Sequence, residues 1–211
     1  MKLHLLAGGP IPTNAYLLTD SSRGEAVLID APGGIWADIG PILAREKCRL
    51  AELWITHGHW DHTQGGAELI RATGAAVRAH PADRVLLENP QVMSSFAEQF
   101  KLEPLKVDHW IDAGQRLEIL GAAAEVRHVP GHCPGNVLFH FQAQKAAFVG
   151  DALFKGSVGR TDFPGGNFEE LARSIREQIY TLPDVTKVYS GHGEPTSVGE
   201  EKASNPYVKA Q

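Results

Sequence analysis

"THGHWDHTQG", Thr56–Gly65, decides the fold. It follows the apolar run "LWI" and places His57, His59, Asp61 and His62 within six positions. Imidazole nitrogens and carboxylate oxygens are ligands for zinc and for iron. They converge on an ion only if the backbone turns to aim them inward. A buried strand ending at Thr56, followed by a tight loop relaxed at Gly58, does this. His57 and His59 are two apart, so in an extended segment they point the same way. Asp61 and His62 come after the turn, at the start of the next helix. The two pairs are therefore placed to serve two different ions.

The flanking sequence supplies a scaffold for such a loop. "NAYLLTD" (14–20) and "EAVLID" (25–30) read as strands about the turn "SSRG". "IWADIGPILAREK" has helical spacing of Ile35, Ile39, Ile42 and Leu43, with Pro41 inside it. "AELWIT" is a buried strand, "TQGGAELIRATG" a helix ended by Gly74, "AAVRAH" a strand and "PADRVLLEN" a short helix. The stretch 90–104 reads as a loop with a helical turn around "SSFAEQF". Four strands follow: "QRLEIL", "AEVRHVP", "NVLFHFQ" and "KAAFVGD". "NFEELARSIREQIYTL" is an amphipathic helix with Phe168, Leu171, Ile175 and Ile179 on one face, and "TKVYSG" is a last strand. No linker or short repeat divides the chain. The order predicts a single α/β domain of sheets between helices.

Bulk properties narrow the class. The chain has 211 residues, 43% hydrophobic and 21% charged, with a net charge of −5. That composition supports a sizeable core, and no basic run argues for nucleic acid. Two cysteines, Cys48 and Cys133, form no close pair motif, so a disulfide framework is not expected. The N-terminal apolar run is broken by His4, too early for a secretory leader. No stretch approaches the ~20 apolar residues of a membrane helix. A cytoplasmic protein with no membrane or nucleic-acid partner is expected.

"THGHWDH" resembles the signature of the metallo-β-lactamase superfamily. Three later stretches resemble its remaining metal motifs, in order: "VPGHCPGN" with His132, "FVGDALF" with Asp151 and "YSGHGEPT" with His192. The resemblance runs from "TNAYLL" to "EEKASNPYV". It implies an αββα four-layer sandwich over residues 1–211. It also implies that His57, His59 and His132 hold one metal, that Asp61, His62 and His192 hold another, and that Asp151 bridges both. Zinc is the first expectation for both ions, and iron or manganese accept the same donors. His4, His80, His109, His128 and His140 fall outside these motifs and read as packing or surface residues.

Within the superfamily, "GDALFKGSVGRTDFPGG" and "GHGEPTSVGEEKASNP" are similar to the single-domain, glyoxalase II-like hydrolases. The resemblance implies hydrolysis of a small-molecule thioester, S-2-hydroxyacylglutathione, by a metal-bridging hydroxide, with Asp61 relaying a proton. Arg160 stands where a lysine of two-domain members contacts glutathione, and it reads equally as a loop ion pair with Asp162. The tyrosine that follows the last ligand histidine in that family is replaced here by "HGEPT", and the family's C-terminal helical domain is not expected. The alternatives are a mononuclear-iron persulfide dioxygenase, whose family also resembles the chain around "GRTDF", and a metallo-hydrolase of another small ester or lactone.

Overall fold

The computed structural model describes residues 1–210, which form two compact units, residues 1–110 and 111–210. The first unit is a six-stranded sheet in the order β1-β2-β3-β4-β5-β6. Its strands are β1 (Lys2–Gly8), β2 (Thr13–Asp20), β3 (Glu25–Ile29), β4 (Arg49–Trp54), β5 (Ala76–Ala79) and β6 (His109–Trp110). β1, β2 and β3 run antiparallel, and β3 through β6 run parallel. Parallel neighbours need crossovers, and helices supply them. They are α1 (Ile35–Glu46), the single turn α2 (Trp60–Thr63) with α3 (Gly66–Thr73), and α4 (Arg84–Glu88).

Ile35, Ile39 and Leu43 form the buried stripe of α1. With Leu69 of α3 they cover Ala15, Leu17, Leu28, Leu53 and Val77 of the sheet. Pro41 is tolerated inside α1, which closes where Lys47 turns left-handed and the Cys48 amide donates to the Leu43 carbonyl, 2.9 Å. The alternate residues Tyr16, Leu18, Val27, Ile29 and Trp54 are buried as well. Burial on both faces explains why these strands read as continuous apolar runs rather than alternating ones.

The second unit holds a sheet in the order β14-β13-β10-β9-β8-β7. Its strands are β7 (Arg116–Ile119), β8 (Ala122–His128), β9 (Val137–Phe141), β10 (Ala146–Gly150), β13 (Lys187–Ser190) and β14 (Thr196–Ser197). β11 (Leu153–Phe154) and β12 (Ser157–Val158) make a small separate hairpin. β10 and β13 are parallel, joined through α5 (Phe168–Ser174), which runs on into a π-helical turn, Ile175–Ile179. Leu171, Ile175 and Ile179 are buried against Leu138, Val149 and Val188. Phe168 departs from the expected stripe. It opens the helix one turn short of the core and is 44% exposed. The helix α6 (Val198–Ser204) completes the unit. Its Glu201, 2% exposed, accepts from the Gly156 amide (3.0 Å), Thr196 Oγ1 (2.7 Å) and Asn205 Nδ2 (2.8 Å). Tyr180 donates from its hydroxyl to the Val208 carbonyl at 2.9 Å, and burial pushes its pKa up to about 12.

Several elements lay outside the sequence expectation: β1, β6, the β11–β12 hairpin, β14 and α6. Five of the six are strand segments only two to seven residues long, and β1 is a partly exposed edge whose apolar sequence run is broken by His4. Cys48 and Cys133 are both free, and no described helix is long and apolar enough to cross a membrane.

His140 lies on β9 opposite Glu125 of β8, and its side chain is 5% exposed. Its Nδ1 is 3.6 Å from Glu125 Oε2, too long for a hydrogen bond. Burial, the larger influence, lowers its pKa, and the Glu125 carboxylate opposes this. The unfolded chain therefore takes up a proton below about pH 6.5 that the folded chain resists. Stability from this site is full above that pH and is lost as pH falls toward the lowered folded value. His140→Gln is expected to show a smaller drop in melting temperature than the parent between pH 7 and pH 5. Equal drops would assign the acid sensitivity elsewhere.

Candidate metal centre

Parallel strands deliver the candidate ligands of the first unit. Asp30 follows β3, the segment Thr56–His62 follows β4, and Asp83 follows β5. His57, His59, Asp61 and His62 are all buried. The His57 ring is 4.7 Å from that of His59 and 4.1 Å from that of His62, so the three imidazoles cluster. His59 stays extended and caps α2, which turns Asp61 and His62 inward, as the spacing predicts.

Asp30, 1% exposed, organises the cluster. It takes the Thr56 amide at 2.8 Å, the Thr56 hydroxyl at 2.7 Å and His62 Nδ1 at 2.8 Å. A carboxylate only accepts, so His62 Nδ1 carries the proton. The Thr56 hydroxyl spends its own proton on Asp30, so its oxygen accepts from His57 Nδ1, 3.1 Å away. Both rings are thereby left with Nε2 as a lone-pair donor, the arrangement in which a carboxylate behind a histidine raises its ligand strength. Asp30 adopts φ +60, a left-handed conformation that aspartate visits more readily than most residues. Thr13 Oγ1 donates to Asp61 Oδ2 at 2.9 Å, and Asp83 Oδ2 accepts the Gly58 amide at 2.7 Å.

The second unit presents three more. His132 lies in the loop between β8 and β9, Asp151 directly follows β10, and His192 follows β13. The Gly191 amide donates to the Gly150 carbonyl at 2.8 Å, which ties the last two loops together. His132 Nδ1 donates to the Arg160 carbonyl at 2.7 Å, again leaving Nε2. Asp151 Oδ2 is 3.6 Å from His132 Nε2 and 3.4 Å from His192 Nε2. In the first unit, Asp61 Oδ2 is 3.6 Å from His62 Nε2. These separations exceed a hydrogen bond. They match the spacing of about 3.4 Å between two ligands that each lie about 2.1 Å from one tetrahedral ion. The donor chemistry and its spacing fit a divalent metal. They do not select its identity, since zinc, iron and manganese all take nitrogen and oxygen.

The other residues weighed in the sequence take these positions. Arg160 extends over the Phe163 ring, 3.9 Å from its centroid. Two of its nitrogens donate to the two Asp162 oxygens, at 2.7 and 2.6 Å. Arg160 holds the Asp162 carboxyl down at about 2, so this pair stays ionised until strongly acid pH. His80 caps a 3₁₀ turn, its Nδ1 accepting the Ala82 amide, and His128 Nε2 donates to the Pro134 carbonyl. Cys133 is fully buried. The supporting groups Asp30, Thr13, Asp83 and the Arg160 carbonyl were not among the sequence candidates. Only Asp30 carried a signal, an acid closing the buried apolar run "AVLI".

Comparison with known proteins places this geometry. Residues 8–192 match the model of the metallo-beta-lactamase superfamily. The hydroxyacylglutathione hydrolase GloC of Haemophilus influenzae is 32% identical over 216 residues, covering 100% of both chains. Among solved structures, the B3 metallo-beta-lactamase BLEG-1 superposes with a TM-score of 0.90 at 36% identity, covering 98% of this chain and 99% of that one. TTHA1623 in a di-iron-bound form gives 0.86 at 33% identity, covering 97% and 100%. With the expected α/β fold, a buried histidine and aspartate cluster whose donors fit a divalent metal, and these relatives in agreement, the chain belongs to the metallo-beta-lactamase superfamily and is one of its metallo-hydrolases.

Proposed function

We propose that the protein hydrolyses a small thioester, of which an S-2-hydroxyacylglutathione is the first candidate, with two divalent ions. The two units act in this reading as one domain over residues 1–211. His57, His59 and His132 hold one ion, Asp61, His62 and His192 the other, and Asp151 is shared. Such ions supply Lewis acidity and a water activated near neutral pH. The observation that carries the reading is that His57, His62 and His132 each spend their Nδ1 proton on an oxygen, which commits Nε2 to a ligand. The GloC relative, aligned over its full length, supports the thioester class.

The chain's own groups prepare the rest. Asp30 fixes the tautomer of His62 directly and of His57 through Thr56. Thr13 fixes Asp61 by donating to Oδ2, and in this reading the Asp61 carboxylate passes a proton. No serine or cysteine nucleophile is required, and the buried Cys133 thiol is not poised for attack. Arg160 engages Asp162 through Nε and Nη2, so a substrate carboxylate would be met by the Nη1 edge of the guanidinium.

The test joins metal analysis with two assays. Protein purified without chelator is expected to hold two ions per chain and to cleave S-lactoylglutathione without consuming oxygen. Asp61→Ala is expected to lose cleavage. Oxygen uptake with glutathione persulfide by iron-loaded protein, with no thioester cleavage by zinc- or iron-loaded protein, would return the assignment to the mononuclear-iron dioxygenase.

A further inference from the structure

The Nδ1 side of the proposed ligand His132 rests on the main chain. Its Nδ1 donates to a main-chain carbonyl, that of Arg160, at 2.7 Å. A carbonyl on a loop points where the loop points, so the direction of His132 depends on what fixes residues 159–163. Three devices do so. Gly159 packs so closely that a Cβ there would overlap the Asp151 carbonyl oxygen and sit 2.9 Å from His132 Nδ1. The Gly159 amide reaches back to the Ala152 carbonyl at 3.4 Å. Beyond the carbonyl, the Arg160 fork closes on both oxygens of Asp162 and its plane covers Phe163.

Side chains of Arg160 and Asp162 are 56% and 66% exposed. An exposed pair adds little to global stability. Its two parallel bonds and the stacked ring instead remove local freedom, because a planar fork admits one orientation where an ammonium admits many. The loop is also fastened further along. The Asn167 amide, which opens α5, donates to the Gly131 carbonyl at 2.7 Å, immediately before His132. The histidine is thus clasped from both sides by the segment 159–167.

We propose that Arg160 is a positioning residue for His132, acting through its own carbonyl, and that the Arg160–Asp162–Phe163 clasp is the latch that aims this carbonyl. The inference rests on the metal reading above and deepens it. The latch requires the intact fork, so Arg160→Lys, which keeps the charge, fails as Arg160→Ala does. It requires Asp162 equally, and a second substitution after the first removes nothing more.

The experiment measures zinc affinity by chelator competition, and the electronic spectrum of the cobalt-loaded protein, for the parent, Arg160→Ala, Arg160→Lys, Asp162→Ala and the double alanine variant. Melting temperatures within a few degrees of the parent establish that each has folded. The expected result is about 10-fold weaker binding of one of the two ions in every variant, with a shared shift in the cobalt spectrum and no further loss in the double. Unchanged affinity and spectrum in both single alanine variants would overturn the latch. So would a raised KM confined to the Arg160 variants with metal binding intact, which would make the guanidinium a substrate contact. A parent protein that binds no ion at all would instead sink the metal reading on which the latch rests.

Discussion

Gly159→Ala is expected to cost at least about 100-fold in kcat/KM for the thioester and to release metal. The added methyl has nowhere to go: it overlaps the Asp151 carbonyl oxygen and presses on His132 Nδ1. Either the 159–163 loop retreats, taking the Arg160 carbonyl away from His132, or the Asp151 backbone shifts. Both routes displace a proposed ligand, and a displacement near 1 Å at a reacting centre costs on the order of 10²-fold. Overpacking also destabilises the fold by about 1–3 kcal/mol. The diagnostic is therefore the ratio of the two losses. Bound metal per chain, kcat/KM and melting temperature are measured on the same preparation. A variant that keeps both ions and more than half its activity would show that the loop yields without moving His132 or Asp151.

Asp30→Ala is expected to unfold more of the protein than any ligand substitution. It strands the Thr56 amide, the Thr56 hydroxyl and His62 Nδ1 in a buried site at once. Each unsatisfied group costs about 1–3 kcal/mol, and the losses are not strictly additive, so about 3–5 kcal/mol of stability is expected to go. Alanine also tolerates the left-handed backbone at this position poorly. Asp30→Asn keeps that backbone and one acceptor oxygen. It is expected to lose less stability, yet still weaken metal binding about 10- to 100-fold, because a neutral amide no longer supports the imidazole. Chemical denaturation separates the two variants. Equal stability in Asp30→Ala and the parent would remove Asp30 from the centre of the network.

The proposed ligands were legible because their chemistry is written locally. His57, His59, Asp61 and His62 sit in one decapeptide, and His132, Asp151 and His192 each lie just beyond a predicted strand. The supporting groups are different in kind. The Arg160 carbonyl has no residue signature, since every residue carries a carbonyl. Thr13 meets Asp61 across 48 positions. The parallel strands β3, β4 and β5 were legible from their buried runs, while two-residue strands such as β6 and β14 exist only by pairing with a neighbour already formed. Phe168 shows the opposite error, an apolar residue in register with a core stripe but one turn beyond the surface that stripe covers.

Glu201 sets a practical boundary for anyone handling the protein. Its carboxylate gathers the β11–β12 hairpin, the start of β14 and Asn205, while the Tyr180 hydroxyl seizes the Val208 carbonyl and Arg176 that of Lys209. Val208 itself is fully buried. A chain that continues after Lys209 leaves all of these bonds in place. Trimming the chain back past Val208 opens the interior of the second unit and exposes a carboxylate that three segments share.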